Sequence, residues 1–291
     1  FGSGNDGYVA KFDSSGNLLW NTFLGGTGTT DQANGIAVDA SGNVYVVGQA
    51  NATWGTPVRA YAGGVDVFVA KLNASTGALT WNTFLGAGSG TNDYGYGIAV
   101  DGSGNIYVDG DSNASWGAPI RAYSSGSDAF VAKLTSAGAL SWNTFLGGTG
   151  SDGANGIAVD AGGNVYVGGF SSATWGTPAR SYGGGFDMMA AKLSSAGALS
   201  WNTFMGSAGY EIAYGLALDG SGNLYLSGYG DTTWGSPVQA YSGGYDAIAV
   251  KISNSGALSW NTFMGDAGSN DLGGGIALDG AGNLYLTGYS Q

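Results

Sequence analysis

The sequence predicts an all-β fold, a five-bladed β-propeller of four-stranded antiparallel blades, from three observations. The tetrapeptide Trp-Asn-Thr-Phe occurs five times, beginning at Trp20, Trp81, Trp142, Trp201 and Trp260, with spacings of 61, 61, 59 and 59 residues. A period of that length marks supersecondary units that bury their faces against one another. Within each period, short apolar stretches alternate with turns rich in Asp, Ser, Gly and Asn, and no segment carries a helical period. Glycine makes up 58 of 291 residues while aromatics reach 13%. Without a Gly-X-Y repeat, that balance fits many turns between aromatic-rich strands better than collagen or disorder.

One unit, residues 35 to 86, shows the order of elements. Gly35-Ile-Ala-Val-Asp39 reads as an inner strand and Asp39-Ala-Ser-Gly-Asn43 as a tight turn of residues that favour turns. Val44-Tyr-Val-Val47 completes a hairpin, and a long segment follows from Gln49 to Gly64. Asp66-Val-Phe-Val-Ala-Lys-Leu72 is the third strand, Asn73-Ala-Ser-Thr-Gly77 a second tight turn, and Leu79-Thr-Trp-Asn-Thr-Phe-Leu85 the fourth strand. Four antiparallel strands repeated in this way form a propeller blade. The chain opens with a third and a fourth strand, residues 7–12 and 18–24, and closes with a first and a second, residues 275–279 and 284–287. Two half-blades and four whole ones make five. Pairing residues 1–24 with 275–291 in one blade closes the ring and covers its open edges, so residues 1–291 read as a single domain.

These residues resemble a known family. Gly-Ile-Ala-Val-Asp, Gly-Asn-Val-Tyr-Val, Asp-x-Phe-Val-Ala-Lys-Leu and Leu-x-Trp-Asn-Thr-Phe-Leu-Gly look like the bacterial SBBP β-propeller repeat, and more distantly like NHL repeats. The likeness runs over essentially the whole chain. It departs in blade number, since the family name implies seven. It implies a fold and brings no shared chemistry. A streptogramin-lyase-like propeller has similar inner strands but looks to need a catalytic histidine, and this chain has none.

Composition excludes several classes. With no cysteine there are no disulfides, thiol nucleophiles or thiolate metal sites. With no histidine there is no Ser-His triad and no imidazole base or ligand. A net charge of −12 repels nucleic acid and anionic membrane surfaces, and no apolar run approaches a membrane span. The start at Phe1 fits a processed protein or an excised domain. Low charge with abundant Gly, Ser, Thr and Asn resembles exported bacterial surface proteins, so the expected location is extracellular or at the cell surface.

Candidate site residues lie in the long connections, where rigid scaffolds concentrate function. Trp54-Gly-Thr-Pro-Val-Arg59-Ala-Tyr61 recurs as Trp116, Arg121 and Tyr123, as Trp175, Arg180 and Tyr182, and as Trp234, Gln239 and Tyr241. All four prolines and all three arginines lie in this motif. An indole, a guanidinium and a phenol in one loop suit stacking on a sugar ring and hydrogen bonding to its hydroxyls. Equally, the same residues suit pinning a long loop to its own blade.

Carboxylates form the second set. Asp31, Asp93, Asp152, Glu211 and Asp271 each precede an inner-strand glycine by four residues, a place expected to ring a channel mouth. Such a ring suits Ca²⁺, a hard cation that takes oxygen ligands, or a general acid and base acting on a glycoside. Fivefold repetition favours a third use, local Asx-type capping of the loop. Lys11, Lys71, Lys133, Lys192 and Lys251 lie mid-strand, and an ion pair with a carboxylate is expected once per blade. Asp109-Gly-Asp111-Ser-Asn113 resembles a calcium loop only superficially, for it lacks the later bidentate Glu.

The function expected from the sequence is a non-enzymatic, multivalent carbohydrate-binding module that meets a glycan or other surface polymer through its aromatic loops. A structural subunit of an extracellular fibre, sheath or matrix, joined to copies of itself or to a larger assembly, is the alternative. A glycoside hydrolase-like enzyme comes third. No cofactor is expected beyond Ca²⁺.

Overall fold

The computed structural model describes residues 4–291, and every regular element among them is a β-strand. The chain divides into two compact units, residues 1–123 with 130–145 and residues 124–129 with 146–291. The first holds β1 (Gly7–Phe12) and β2 (Leu18–Leu24), which form a two-stranded sheet. It continues with β3 (Asp31–Val38), β4 (Val44–Ala50), β5 (Asp66–Leu72) and β6 (Leu79–Leu85), hydrogen-bonded in that order. The next sheet repeats the order with β7 (Asp93–Val100), β8 (Ile106–Ser112), β9 (Asp128–Leu134) and β10 (Leu140–Leu146), the unit boundary falling within β9 and at the end of β10. The second unit contains β11 (Asp152–Val159), β12 (Val165–Ser171), β13 (Asp187–Leu193) and β14 (Leu199–Met205). It also contains β15 (Glu211–Leu218), β16 (Leu224–Gly230), β17 (Asp246–Ile252) and β18 (Leu258–Met264), then the two-stranded sheet of β19 (Asp271–Leu278) and β20 (Leu284–Ser290). The strand pairs of β3 to β6 and of β11 to β14 are antiparallel, the arrangement of propeller blades.

Burial follows strand position. The second and third strands of the four-stranded sheets are almost wholly buried, β4, β5, β8, β9, β12 and β13 sharing one pattern. Val, Tyr and Phe dominate them, residues that pack well on a pleated surface. In the first unit one cluster joins Tyr45, Val47, Val67 and Val69 to Val108 and Phe130 of the next sheet. In the second unit Met188, Ala190 and Met205 pack against Leu226, Ile248 and Val250.

Glycine in the inner strands answers to close approach. A Cβ at Gly35 would stand 2.5 Å from the Tyr96 carbonyl of the neighbouring inner strand. β-bulges fall beside it, between Ala33 and Gly35, and recur in β7, β11, β15 and β19.

Two expectations are corrected. The inner strands begin four residues earlier than the apolar run suggests, because the backbone pairs outward as far as the carboxylate: Asp31 lies opposite Ala50 and Asp152 opposite Ser171. The lysines meet tyrosine rings rather than carboxylates: Lys71, Lys133, Lys192 and Lys251 place Nζ 5.2, 5.1, 4.9 and 5.0 Å from the ring centroids of Tyr45, Tyr107, Tyr166 and Tyr225. An ammonium over a π face is attracted without the full loss of hydration that a buried ion pair demands.

Candidate functional site

The long loop between the second and third strands of each blade is built inward from its tryptophan. Trp54, Trp116, Trp175 and Trp234 are only 4–7% exposed. Trp54 meets Phe68 and Phe84 edge-on, with centroids 5.2 and 5.8 Å away, and Trp116 meets Phe130 and Phe145 at 5.3 and 5.8 Å. Trp175 and Trp234 contact Phe204 and Phe263 in the same manner. Edge-to-face geometry is the favoured arrangement for aromatic pairs, and burial leaves these indoles little free surface. Each of the four indoles, expected from the sequence as a stacking platform, is placed in the core of its own loop.

The polar groups of the motif are likewise engaged. Arg59 donates to the carbonyls of Phe84 and Gly86 at 2.7 and 3.0 Å, and Arg180 to those of Phe204 and Gly206 at 2.8 Å each. Arg121 donates to the Phe145 carbonyl at 3.0 Å. The guanidinium of Arg59 also lies 6.0 Å from the centre of the Trp116 ring, and that of Arg180 5.2 Å from Trp234. Each of these arginines thus ties its own loop to the next one within its unit. The Tyr61 hydroxyl sits within hydrogen-bond distance of the Asn51 and Gly64 carbonyls, and Tyr182 of Ser172 and Gly185. Tyr123 reaches the Asn113 carbonyl at 3.0 Å and Tyr241 the Gly244 carbonyl at 2.9 Å.

The recurring tetrapeptide supplies the other half of this clamp. Asn82, Asn143, Asn202 and Asn261 donate from the fourth strand to the carbonyls of Trp54, Trp116, Trp175 and Trp234 at 2.7, 2.8, 2.7 and 3.0 Å. The following Phe forms the floor under the Trp and Tyr rings. The Trp of the tetrapeptide works in the other direction. Trp20, Trp81 and Trp201 donate their ring N–H to the carbonyls of Ala74, Ser136 and Asn254, in a turn of the neighbouring blade.

The inner-strand carboxylates are the second constellation, and each has a partner that the sequence did not announce. Asp66, at the start of β5, and Asp93, at the start of β7, both crowd Gly86: a Cβ there would lie 2.6 Å from Asp66 Oδ1 and 2.7 Å from Asp93 Oδ2. Asp128 with Asp152 about Gly147, Asp187 with Glu211 about Gly206, Asp246 with Asp271 about Gly265, and Asp6 with Asp31 about Gly25 repeat the arrangement. The signal was present as an Asp at or just before the start of every third strand and a Gly after every fourth.

Each carboxylate closes a local turn. Asp66 accepts from the Ala62 N–H at 2.6 Å, Asp187 from Gly183 at 2.8 Å and Asp246 from Ser242 at 2.8 Å. Asp93 accepts from the Ala87 N–H at 3.0 Å and from the Ser112 hydroxyl, and Glu211 from the Ser207 N–H at 3.0 Å and Thr232 at 2.7 Å. Burial pushes Asp66 up to about 6 and Asp187 up to about 7, and the neighbouring carboxylate adds to both. Arg59 and Arg180 oppose the rise. Burial likewise raises Asp31, Asp93 and Glu211, whereas Asp271 is lowered, first by its bond from Ser290. Among the described residues no three such side chains gather where they could hold one metal ion. The arrangement is pairwise and faces glycine, which suits capping of the loops better than a shared Ca²⁺ or an acid and base facing substrate.

One buried carboxylate stands outside the repeat. Asp109, in β8 where the other blades carry Val47, Gly168 and Ser227, accepts from the Gly97 N–H at 2.6 Å and is pushed up to about 7 by burial.

No curated protein matches the chain. Two stretches, residues 19–53 and 80–115, match the family model of the SBBP beta-propeller repeat, each running from a fourth strand through the next inner strand and beyond the second. The antiparallel four-stranded sheets and this match agree in kind: over these two stretches the chain is similar to the SBBP beta-propeller repeat.

Proposed function

We propose that the chain is a non-catalytic architectural module of an extracellular or cell-surface assembly. The observation that carries this reading is the internal use of every conspicuous loop group: the indoles pack on phenylalanines, while the arginines and tyrosines bind backbone carbonyls. Loops wired in this way hold a rigid shape. Low charge and the Gly, Ser, Thr and Asn content support placement outside the cell.

In the same reading the fold is a five-bladed propeller whose fifth blade takes β19 and β20 as its first and second strands and β1 and β2 as its third and fourth. The order within the four complete blades supports it. A glycan array probed with the wild type and with Arg121→Ala, alongside electron microscopy of native material, tests the function. A blank array and ordered assemblies are expected. Glycan signals that Arg121→Ala abolishes, on discrete particles, would overturn the architectural reading in favour of a lectin.

A further inference from the structure

Within the second unit, Lys192 of β13 donates to Asn254 Oδ1 at 2.5 Å. Asn254 lies in the turn between β17 and β18, so the contact joins two different sheets. Other copies of the repeat carry a different group at that place. Trp20, Trp81 and Trp201 donate their ring N–H to the carbonyls of Ala74, Ser136 and Asn254, which makes those three residues equivalent. Of the three, Asn254 alone has a side-chain carboxamide. Lys11, which faces Ala74, meets only that residue's backbone carbonyl, at 2.8 Å.

The groups around this carboxamide hold it for acyl transfer. The Tyr166 hydroxyl lies 3.1 Å from Asn254 Oδ1 and 3.3 Å from Asp160 Oδ2. Asn254 Nδ2 donates to the Ser221 carbonyl at 3.2 Å, and the Trp201 bond to the Asn254 carbonyl, at 2.9 Å, pins the backbone of the turn. Lys192 Nζ sits 4.9 Å from the centre of the Tyr166 ring, which keeps the side chain over this spot. Lys192 is half-buried and Asn254 exposed, so both remain in reach of solvent. Holding a nucleophile against an acyl carbon replaces a chance encounter, and a donor on the carbonyl oxygen stabilises the charge that develops there.

We propose that Lys192 and Asn254 join in an isopeptide bond, formed without an enzyme, that ties β13 to the turn between β17 and β18. The Lys192 ammonium gives a proton to solvent, and the free amine attacks Asn254 Cγ. Tyr166 donates to the oxyanion that forms at Oδ1. The bond from Cγ to Nδ2 then breaks as Nδ2 takes a proton from Nζ, and ammonia leaves to be protonated by water. An ammonium and a carboxamide thus become a secondary amide and an ammonium ion. Nothing is oxidised or reduced, and no second reactant is consumed. The bond makes a contact between two sheets permanent, and it stands whether or not the architectural role does.

Mass spectrometry of the full chain, aged in alkaline buffer, tests the bond. The expected result is an intact mass lower by one ammonia, with a single branched peptide after proteolysis that links Lys192 to Asn254. Lys192→Arg and Asn254→Ser, the second of which puts there the residue type of Ser136, each abolish both signals and leave the circular dichroism spectrum unchanged. Tyr166→Phe slows formation roughly tenfold or more. A chain that keeps its full sequence mass overturns the proposal. So does loss of ammonia without the branched peptide, or loss that persists in Lys192→Arg, since either marks an asparagine closing on its own backbone.

Discussion

The Asn143 side-chain amide donates to the Trp116 carbonyl at 2.8 Å, joining outer strand β10 to the long loop between β8 and β9. Both residues are buried, and Phe145, two positions along β10, lies under the same indole. The tetrapeptide is thus one face of a clamp whose other face is the Trp-Pro-Arg-Tyr loop, and both recur together because neither is satisfied alone.

Removing either half of this clamp lowers stability. Trp116→Ala takes away a buried aromatic that packs on two rings, at a cost of about 3–5 kcal/mol. Asn143→Ala leaves the Trp116 carbonyl without its donor and costs about 1–3 kcal/mol. Urea unfolding of the two single variants and the double variant measures both. Full additivity would show that the two groups do not act on one loop.

Gly86 and Gly88 form a matched pair for testing the carboxylate geometry. A Cβ at Gly86 meets Asp66 and Asp93, whereas one at Gly88 meets nothing within 4 Å. Gly86→Ala is expected to destabilise by about 1–3 kcal/mol through overpacking. Gly88→Ala is expected to stay within about 0.5 kcal/mol of the wild type, as for an unremarkable surface change. Equal effects in thermal melts would contradict the crowding.

Stability depends on pH with two opposed signs. Asp66, Asp109 and Asp187 have folded values raised to about 6, 7 and 7 by burial. Their contribution is complete below the unfolded value of about 4 and is lost as pH rises through 6 to 7. Asp39, Asp101, Asp160 and Asp219 are lowered: burial raises each, but bonds from Asn43, Asn105, Asn164 and Asn223 outweigh it. Their contribution holds above about 4 and is lost as pH falls through the folded values. Melting temperature should therefore peak near pH 4 and fall on either side. Asp187→Asn should shrink the decline from pH 5 to pH 8; a decline unchanged in that variant would remove Asp187 as its source.

Tyr107 joins Lys133 to the turn carboxylate Asp101. Its hydroxyl donates to Asp101 at 3.0 Å, and Lys133 Nζ lies over its ring. Tyr107→Phe keeps the ring and removes the bond, at a cost of about 1 kcal/mol. Tyr107→Leu also removes the cation–π contact and the ring's packing and costs more, about 2–4 kcal/mol. Equal losses in guanidinium melts would show that the lysine contact adds nothing.

Much of the fold was legible in the chain. Turns such as Asp39 to Asn43 announced themselves because Asp39 accepts from the N–H groups of Ser41 and Asn43, a bond made among neighbours in sequence. Strands β5 and β6 were readable from their apolar residues. The start of β3 was not, because Asp31 gives no apolar signal and joins the strand only through pairing with β4. The loop residues were found, but their orientation was hidden. Trp54 satisfies a sugar platform and a loop core equally well in sequence, and only Phe68 and Phe84, distant along the chain, decide between them.

Period, strand order, turn chemistry and the lack of cysteine and histidine are properties of the chain by itself, because each rests on local bonding or on composition. Which way Trp116 faces, that Asp66 meets Asp93 across Gly86, and that Lys133 finds the ring of Tyr107 were decided by tertiary structure alone. Those contacts join residues brought together by sheet pairing and blade packing, and burial then selects among side-chain roles that are chemically equivalent along the chain.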